Sequence, residues 1–355
     1  MPTVGLVIIG RNEGQRLRRC LESSLGHAAH TVYVDSGSTD GSVALARSMN
    51  VDVVELDTTV PFTAARARNA GVDRLRKLAP DTAYVQFVDG DCEINPAWWA
   101  TASNCLDQRP DVAAVCGRRR ERFPDASLYN RMCDLEWDTP IGDATECGGD
   151  SMMRLAHFTA VNGFDPTLIA GEEPELCLRL RQHGWKIERL DAEMTLHDAA
   201  MTKFSQWWRR EKRSGYAFAE AAHRFGHTPE RFRVHWTRRN WFYGLILPLL
   251  ALAPAWPTHG WSLLLLLAYP LQWLKVHRHC RRNRHMSPPD ARLYATFVVL
   301  AKFPMAAGQV KYLVSRLTRK PSKLIEYKTP SASPACAAST PVPDPKTSNT
   351  TPAHR

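Results

Sequence analysis

Residues 1–92 alternate between two patterns of hydrophobicity. The apolar, β-branched runs VGLVII, HTVYVD, VDVVEL and AYVQFVD are each too short for a stable isolated helix and rich in strand formers. Between them, EGQRLRRCLESSLG, DGSVALARSM and TAARARNAGVDRLRKLA space their apolar residues at helical intervals. Strands alternating with amphipathic helices predict a mostly parallel α/β sheet with right-handed crossovers. In such sheets ligands bind beyond the carboxyl ends of the strands. The polar residues that close these runs are therefore candidates: Arg11-Asn12-Glu13, Asp35-Ser36-Gly37 and Asp89-Gly90-Asp91. Residues 93–235 are less regular and richer in tryptophan, histidine and arginine, and read as the second half of one domain spanning 1–235.

From Trp241 the pattern changes. WFYGLILPLLALAPAW and WSLLLLLAYPLQWL are apolar runs separated by PTHG, and both are shorter than the roughly 20 residues of a spanning helix. TRRN precedes them and KVHRHCRRNRH follows. A membrane hairpin with both ends cytoplasmic would satisfy the positive-inside rule. A re-entrant or interfacial pair is the neighbouring reading, given Pro248, Pro254 and Pro270, and a buried hairpin of a soluble protein is the bland one. The following ARLYATFVVLAKFPMAAGQVKYLVSRL reads as an amphipathic helix on a membrane surface. Residues 236–320 are thus expected to form a membrane-associated helical region. The Pro/Ser/Thr-rich residues 321–355 are expected to be a disordered tail.

Composition narrows the partners. A net charge of +10 favours phosphate-bearing ones, whether nucleic acid, anionic lipid or a phosphorylated small molecule. No nucleic-acid-binding module or basic–aromatic β platform appears, so nucleic acid is not expected. The 9 cysteines contain no C-x-x-C pair, which argues for reduced thiols rather than a zinc cluster or disulfide framework. The start, MPTVGLVIIGRNEG, lacks the basic region and long apolar run of a signal peptide. The expected location is the inner membrane, with the catalytic domain facing the cytoplasm.

Asp35 follows a strand and precedes small turn residues, so its carboxylate could accept from a base imide or a ribose hydroxyl; Asp-Ser-Gly is equally an ordinary turn. Arg66 and Arg68 open a helix where phosphate could bind, or they simply form salt bridges. Asp89 and Asp91, separated only by Gly90, repel each other unless something positive lies between them. Hard carboxylate oxygens at a strand end suit Mn²⁺ or Mg²⁺ with a diphosphate completing the coordination. Glu172 and Glu173 begin another helix: capping by the macrodipole is one reading, a general base for an acceptor hydroxyl the other.

The ordered set GRNEG, VDSGSTDGS, ARARNAG, FVDGD, GGDSMMR, VNGFDP and GEEPELCLRLRQHGW resembles the family 2 glycosyltransferases of the GT-A fold over about the first 200 residues. Within that family it is similar to bacterial enzymes of exopolysaccharide assembly, including succinoglycan-type glucosyltransferases. The resemblance implies a Rossmann-like GT-A catalytic domain with a nucleotide-sugar half at 1–92 and an acceptor half at 93–235. It implies that Glu13, Asp35, Arg68 and Asp89 bind the nucleotide-sugar, a UDP-sugar being favoured. Asp91 would hold the metal on the diphosphate, joined by His197. Asp150 would lie on the acceptor side, with Trp207 and Trp208 available to stack on a sugar or pack on the membrane. The family's Glu-Asp pair reads Glu172-Glu173 here, so the base would be Glu173, one methylene longer. QWWRR at 206–210 departs from the Q-x-x-R-W of processive synthases, which favours transfer of a single sugar.

The expected activity is inverting transfer from a nucleotide-diphosphate sugar to a lipid-linked or polysaccharide acceptor in cell-envelope or exopolysaccharide synthesis. Two alternatives stand beside it. A sugar nucleotidyltransferase would carry a G-x-G-T-R-type loop where GRNEGQR stands. A catalytically inactive, membrane-tethered glycan-binding homologue would not need intact carboxylates at Asp35, Asp91 and Glu173.

Overall fold

The structure, a computed structural model, describes residues 3–319; the Pro/Ser/Thr-rich tail lies outside them. Each apolar run of the first ninety-odd residues becomes a strand, buried at its centre except at the sheet edge: β1 (Thr3–Gly10), β2 (His30–Asp35), the half-exposed edge strand β3 (Asp52–Glu55) and β4 (Thr82–Asp89). The amphipathic intervals become α1 (Gln15–Ser24), α2 (Ser42–Ser48) and α3 (Ala64–Leu78). The second half adds β5 (Cys92–Ile94), α4 (Pro96–Gln108), β6 (Val112–Glu121), α5 (Leu128–Glu136), β7 (Gly142–Ala144), β8 (Ser151–Arg154), α6 (Leu155–Ala160), α7 (Glu172–Gln182) and β9 (Lys186–His197).

The strands form a single sheet in the order β3-β2-β1-β4-β8-β6-β9-β5, with β7 also paired to β9. β3, β2, β1 and β4 run parallel; β8 is antiparallel to both of its neighbours, β4 and β6. Register carries the functional information. Gly10 pairs with Asp35 and Ile9 with Asp89, so three polar strand ends share one edge. At the far side, Glu121 of β6 and Cys92 of β5 both pair with His197 of β9, which folds the second half back onto Asp91. The helix–sheet contact is close: a Cβ on Gly71 would lie 2.3 Å from Val7 Cγ1, so only glycine lets α3 sit this near β1.

The C-terminal half-shell is helical: α8 (Phe204–Phe225), α9 (Val234–Trp241), α10 (Leu247–Leu252), α11 (Ala268–Asn283), α12 (Pro288–Leu300) and α13 (Lys302–Leu317). Gln206 starts α8 by accepting the backbone N–H of Lys203 at 2.9 Å, a capping role for the first residue of QWWRR. Trp207 is 1 % exposed and meets Phe297 of α12 edge-on at 4.9 Å between centroids. It anchors α8 to the C-terminal helices and is closed to an acceptor sugar; Trp208 is half-buried beside the same cluster.

The apolar run from Trp241 does not form one long helix. A π-turn (Phe242–Ile246) leads into α10, the chain reverses through residues 253–260, and a 3₁₀ segment (Trp261–Leu267) runs into α11. Pro248 and Pro254 remove the backbone donors that a continuous helix would need. Among the described residues, the one helical run long and apolar enough to cross a membrane is Pro288–Leu317, and 44 % of its most apolar window is buried. α13 packs on α8 at backbone contact: a Cβ on Gly308 would lie 2.0 Å from the Lys212 carbonyl oxygen, and one on Gly215 2.1 Å from that of Met305.

That contact predicts the effect of Gly308→Ala. The added methyl must push the helices apart, and thermal or denaturant unfolding should show about 1–3 kcal/mol of destabilisation despite alanine's better helix propensity. Unchanged stability would mean that the two helices are not held at this distance.

Candidate active site

The β1 and β2 ends form an interlocked pair of loops. Asp35 is 2 % exposed; one oxygen accepts the Tyr33 hydroxyl at 2.9 Å, the other the backbone N–H groups of Gly37 (2.9 Å) and Ser38 (2.7 Å). The turn needs Gly37 at φ +87°. Asn12 Oδ1 accepts the Thr39 N–H at 2.7 Å and ties the first loop to the second. Glu13 ion-pairs with Arg16 at 2.8 Å one turn along, close to the Gly90 backbone. Glu13 and Asp35 therefore both lie at the β1 and β2 strand ends, and Asp35 spends three acceptor contacts on shaping its own turn.

A positive partner of Asp89 is present in the chain itself. Arg68 of α3, 3 % exposed, donates to Asp89 Oδ1 at 2.9 Å and to Glu172 Oε1 at 2.8 Å. Arg119 of β6 meets Asp150 at 2.8 Å. Burial alone would lower the pKa of both guanidiniums; the surrounding carboxylates outweigh it, Asp89 and Glu172 acting on Arg68 and chiefly Asp150 on Arg119, and raise both. Asp150 is fully buried, accepts the Asp89 N–H at 3.1 Å and the Thr195 hydroxyl at 2.8 Å, and does not face an acceptor. Its place in the fold is beneath Asp89. A Cβ on Gly149 would come within 2.9 Å of Arg68 Nη2 and 3.2 Å of Asp89 Oδ2, so the GGD turn must be bare of side chain to lie against them.

The two aspartates differ in access. The Asp89 side chain is 29 % exposed, whereas that of Asp91 is enclosed, its Oδ2 3.4 Å from His197 Nε2. Ligand atoms of Asp91, Cys92 and His197 all lie within 4.8 Å of one another. The carboxylate and imidazole suit a divalent ion such as Mn²⁺. Burial, with Asp150 and Asp91 nearby, pushes the Cys92 thiol well up, which disfavours the thiolate a ligand must be. The donor set thus fits a divalent cation through Asp91 and His197. Behind His197, Glu121 Oε2 lies 3.6 Å from Nδ1 and accepts the Ala199 N–H at 3.0 Å, fixing a carboxylate where it can orient the ring. Trp137 meets the imidazole edge-on at 4.7 Å and stacks under the Arg119 guanidinium.

Across the cleft, Gly171 at φ +82° turns the chain so that Glu172 and Glu173 lead α7. They separate in environment. Glu172 takes the Arg68 ion pair, while Glu173 turns inward: its Oε1 accepts the Cys147 N–H at 2.7 Å, the Cys177 thiol at 3.0 Å and the Cys147 thiol at 3.2 Å. Burial first, then the charge of Glu146, raises the Glu173 pKa, partly offset by these donors.

Arg119, Glu121, Trp137, Cys147 and Cys177 were not evident as site residues from the chain alone. Arg119 had a faint signal: in the strand GRRRE, alternation sends it to the face opposite Arg118 and Arg120. The cysteine pair is 30 residues apart with no motif, and only the fold brings it to the glutamate.

These features define a mostly parallel α/β fold: a parallel half-sheet with polar strand ends, a D-x-D after its centre strand and a second, antiparallel-linked half carrying a carboxylate helix. Residues 6–152 match the profile of Glycosyl transferase family 2, and residues 131–203 that described as the N-terminal domain of galactosyltransferase. Residues 6–152 thus form a domain of the family 2 glycosyltransferase type, and the fold of the chain is of the GT-A class. The succinoglycan biosynthesis protein ExoA of Rhizobium meliloti is 26 % identical over 174 residues, 46 % of this chain and 52 % of that protein. A TPR repeat-containing protein of Synechococcus elongatus is 26 % identical over 162 residues, 44 % of this chain and 38 % of that one. The aligned part therefore spans about half or less of these relatives. In fold, the chain is similar to the mannosyltransferase PcManGT of Pyrobaculum calidifontis, solved with GDP-Man and Mn²⁺: TM-score 0.52, 18 % identity, 90 % of this chain and 88 % of that one covered.

Removing the charge of Asp150 tests the arginine–carboxylate scaffold. Asp150→Asn leaves Arg119 with a weaker partner in a buried site, and should cost on the order of 3–5 kcal/mol in chemical denaturation. A loss below about 1 kcal/mol, the range of a solvated surface pair, would show that Asp150 is not the keystone of this cluster.

Proposed function

We propose that this protein transfers one sugar, with inversion, from a nucleotide-diphosphate sugar to the hydroxyl of a lipid-linked or glycan acceptor at a membrane. The observation that carries the reading is the pairing of Asp89-Gly90-Asp91 with Glu172-Glu173 across one cleft, joined by Arg68. Nucleotide-sugar binding falls to the Glu13, Asp35, Arg68 and Asp89 edge, where carboxylates and loop N–H groups can meet base, ribose and phosphate. A UDP-sugar is favoured, the base and sugar being set by loop contacts. The membrane-side region, 236–320 together with the cleft rim, supplies the acceptor, and the transferase domain, 1–235, faces the side from which cytosolic donors arrive. Similarity to a protein of succinoglycan biosynthesis supports a place in exopolysaccharide or cell-envelope assembly.

Glu173 acts as general base. It accepts the proton of the acceptor hydroxyl as that oxygen bonds to the anomeric carbon and the bond from carbon to the diphosphate oxygen breaks. One displacement inverts the centre. Three donors fix Glu173 Oε1, which orients the carboxylate for this task. Arg68 holds Glu172 aside and keeps Asp89 in place. Asp91 and His197 would hold Mn²⁺ or Mg²⁺, which when bound neutralises the departing diphosphate. Glu121 keeps the His197 ring oriented toward Asp91.

Glu173→Gln keeps the size and the acceptor oxygen but removes the base. Transfer to acceptor should fall by about 10²- to 10⁴-fold, while nucleotide-sugar binding by calorimetry stays within a few fold. The raised pKa has a signed consequence. With a folded pKa above the unfolded one, protonated Glu173 contributes stability at low pH that is lost as pH rises through the folded value. The parent should thus lose stability, relative to Glu173→Gln, as pH goes from acid to neutral, and the acid limb of its rate profile should lie above the ordinary carboxylate range. Parallel stability curves for the two proteins would remove Glu173 from the role.

His197→Ala and Asp91→Asn test the cation site directly. Mn²⁺ affinity, read by electron paramagnetic resonance of the free ion, should weaken by roughly tenfold or more for each, and Glu121→Gln by about tenfold. Wild-type affinity in Asp91→Asn would place the ion elsewhere.

A further inference from the structure

The segment between α9 and α11 has no cover within the described chain. Leu249, Leu250 and Leu252 on one arm and Leu264, Leu267 and Leu271 on the other are exposed, and Trp256 at the tip is 92 % exposed. The arms pack against each other, and Tyr269 ties the base by donating its hydroxyl to the Tyr243 carbonyl at 2.5 Å. We infer that residues 242–271 are a hairpin inserted into a single leaflet of an anionic phospholipid bilayer, entering and leaving on the same side. This deepens the membrane-side reading above and is independent of the role given to Glu173.

Three observations converge on it. The first is length. Phe242–Leu252 in helical conformation rises about 16 Å, and the second arm, Trp261–Leu267 in 3₁₀ form followed by Ala268–Leu271 in α-helix, rises about 20 Å. A hydrocarbon core is about 30 Å thick, so each arm reaches the region of the midplane and falls well short of the opposite face.

The second is the state of the tip. Backbone donors of a water-exposed loop can be left to solvent, whereas in hydrocarbon they must be satisfied internally. Here the N–H groups of Ala255, Thr258, His259, Gly260, Trp261 and Leu263 all reach backbone carbonyls of the same tip. Ser262 N–H reaches the Thr258 hydroxyl, and the hydroxyls of Thr258 and Ser262 donate to the Pro254 and Ala251 carbonyls. The reversal is built to need little water.

The third is charge. From Arg231 to Pro289 the chain contains no aspartate or glutamate, and residues 240–274 carry no Lys or Arg either. The exposed cations Arg238, Lys275, Arg278, Arg281 and Arg282 gather at the two ends of the hairpin. An apolar finger with a cationic collar matches acyl chains below a layer of anionic headgroups. It also explains why Pro288–Leu317, though long and apolar enough to span, need not do so. α13 is clamped to α8 of the catalytic side through Gly308 and Gly215, and buried Lys302 donates to Asn240 at 3.0 Å.

The test uses the full-length protein and sealed vesicles of phosphatidylcholine with phosphatidylglycerol. His259→Cys, labelled at the tip with an environment-sensitive fluorophore, is mixed with vesicles brominated near the headgroup or near the acyl terminus. Single-leaflet insertion predicts flotation with the vesicles, strongest quenching by the deep bromines, and no reaction of the tip cysteine with an impermeant maleimide added outside or trapped inside. Labelling by the trapped reagent would show a span and overturn the proposal. Quenching by shallow bromines only would show a hairpin lying flat, which also overturns it. Association into dimers without flotation would assign the face to a second copy of the chain. The paired change Leu249→Glu and Leu264→Glu should reduce vesicle partitioning by roughly a hundredfold. Nucleotide-sugar binding should persist in that variant. Loss of donor binding in the parent would count against the transferase reading alone, and retained flotation of the double variant against the hairpin alone.

Discussion

The charge balance at the end of β4 is the constraint on which the rest of this structure turns. Asp89, Asp91 and Asp150 crowd one strand terminus, and they are stable there because two buried guanidiniums come from opposite halves of the sheet. Arg68 arrives on α3 from the first half, Arg119 on β6 from the second. Buried charges are costly unless paired with good geometry, and each arginine here has a carboxylate within 2.9 Å. The two halves of the domain are thus joined through the site. Packing follows from the same demand: Gly71 lets α3 approach β1, and Gly149 leaves space for Arg68 beside Asp89.

The sheet was legible in the chain because its strands obey a simple rule. VGLVII and AYVQFVD are continuous apolar runs bounded by polar turns, which is how parallel strands buried on both faces must read. The strand-end aspartates were legible for the same reason, since a carboxylate closing such a run stands out. The second half was less readable. β6 and β9 are long but carry charged residues, RRRE and KIERLDAEMTLH, whose burial depends on partners far along the chain. Nothing local in GGDSMMR tells that Asp150, which the family resemblance put on the acceptor side, is fully buried.

Other differences also trace to tertiary context. Trp207 and Trp208 are adjacent aromatics on one helix, and helical geometry sends them in different directions. Trp207 enters the core against Phe297 and Trp208 remains half-buried. A positive partner was sought for Asp89 and Asp91 together; for Asp89 it is Arg68, from a helix about twenty residues upstream, while Asp91 lies against His197. The apolar runs after Trp241 stood out by composition, but only the folded geometry shows that they form two short arms joined by a reversal through residues 253–260.

The Arg68 bridge has a consequence for how ligands are counted. One guanidinium serves both Asp89 and Glu172, so a ligand that drew away either carboxylate would change the field felt by the other. By linkage, the free energy with which donor alters acceptor affinity must equal that with which acceptor alters donor affinity. A calorimetric titration of donor with and without acceptor reads that quantity, and equal affinities would set it to zero. Under the proposed transfer, Arg68 would be less a contact within either subsite than the common terminal of a circuit, through which each substrate would sense the other.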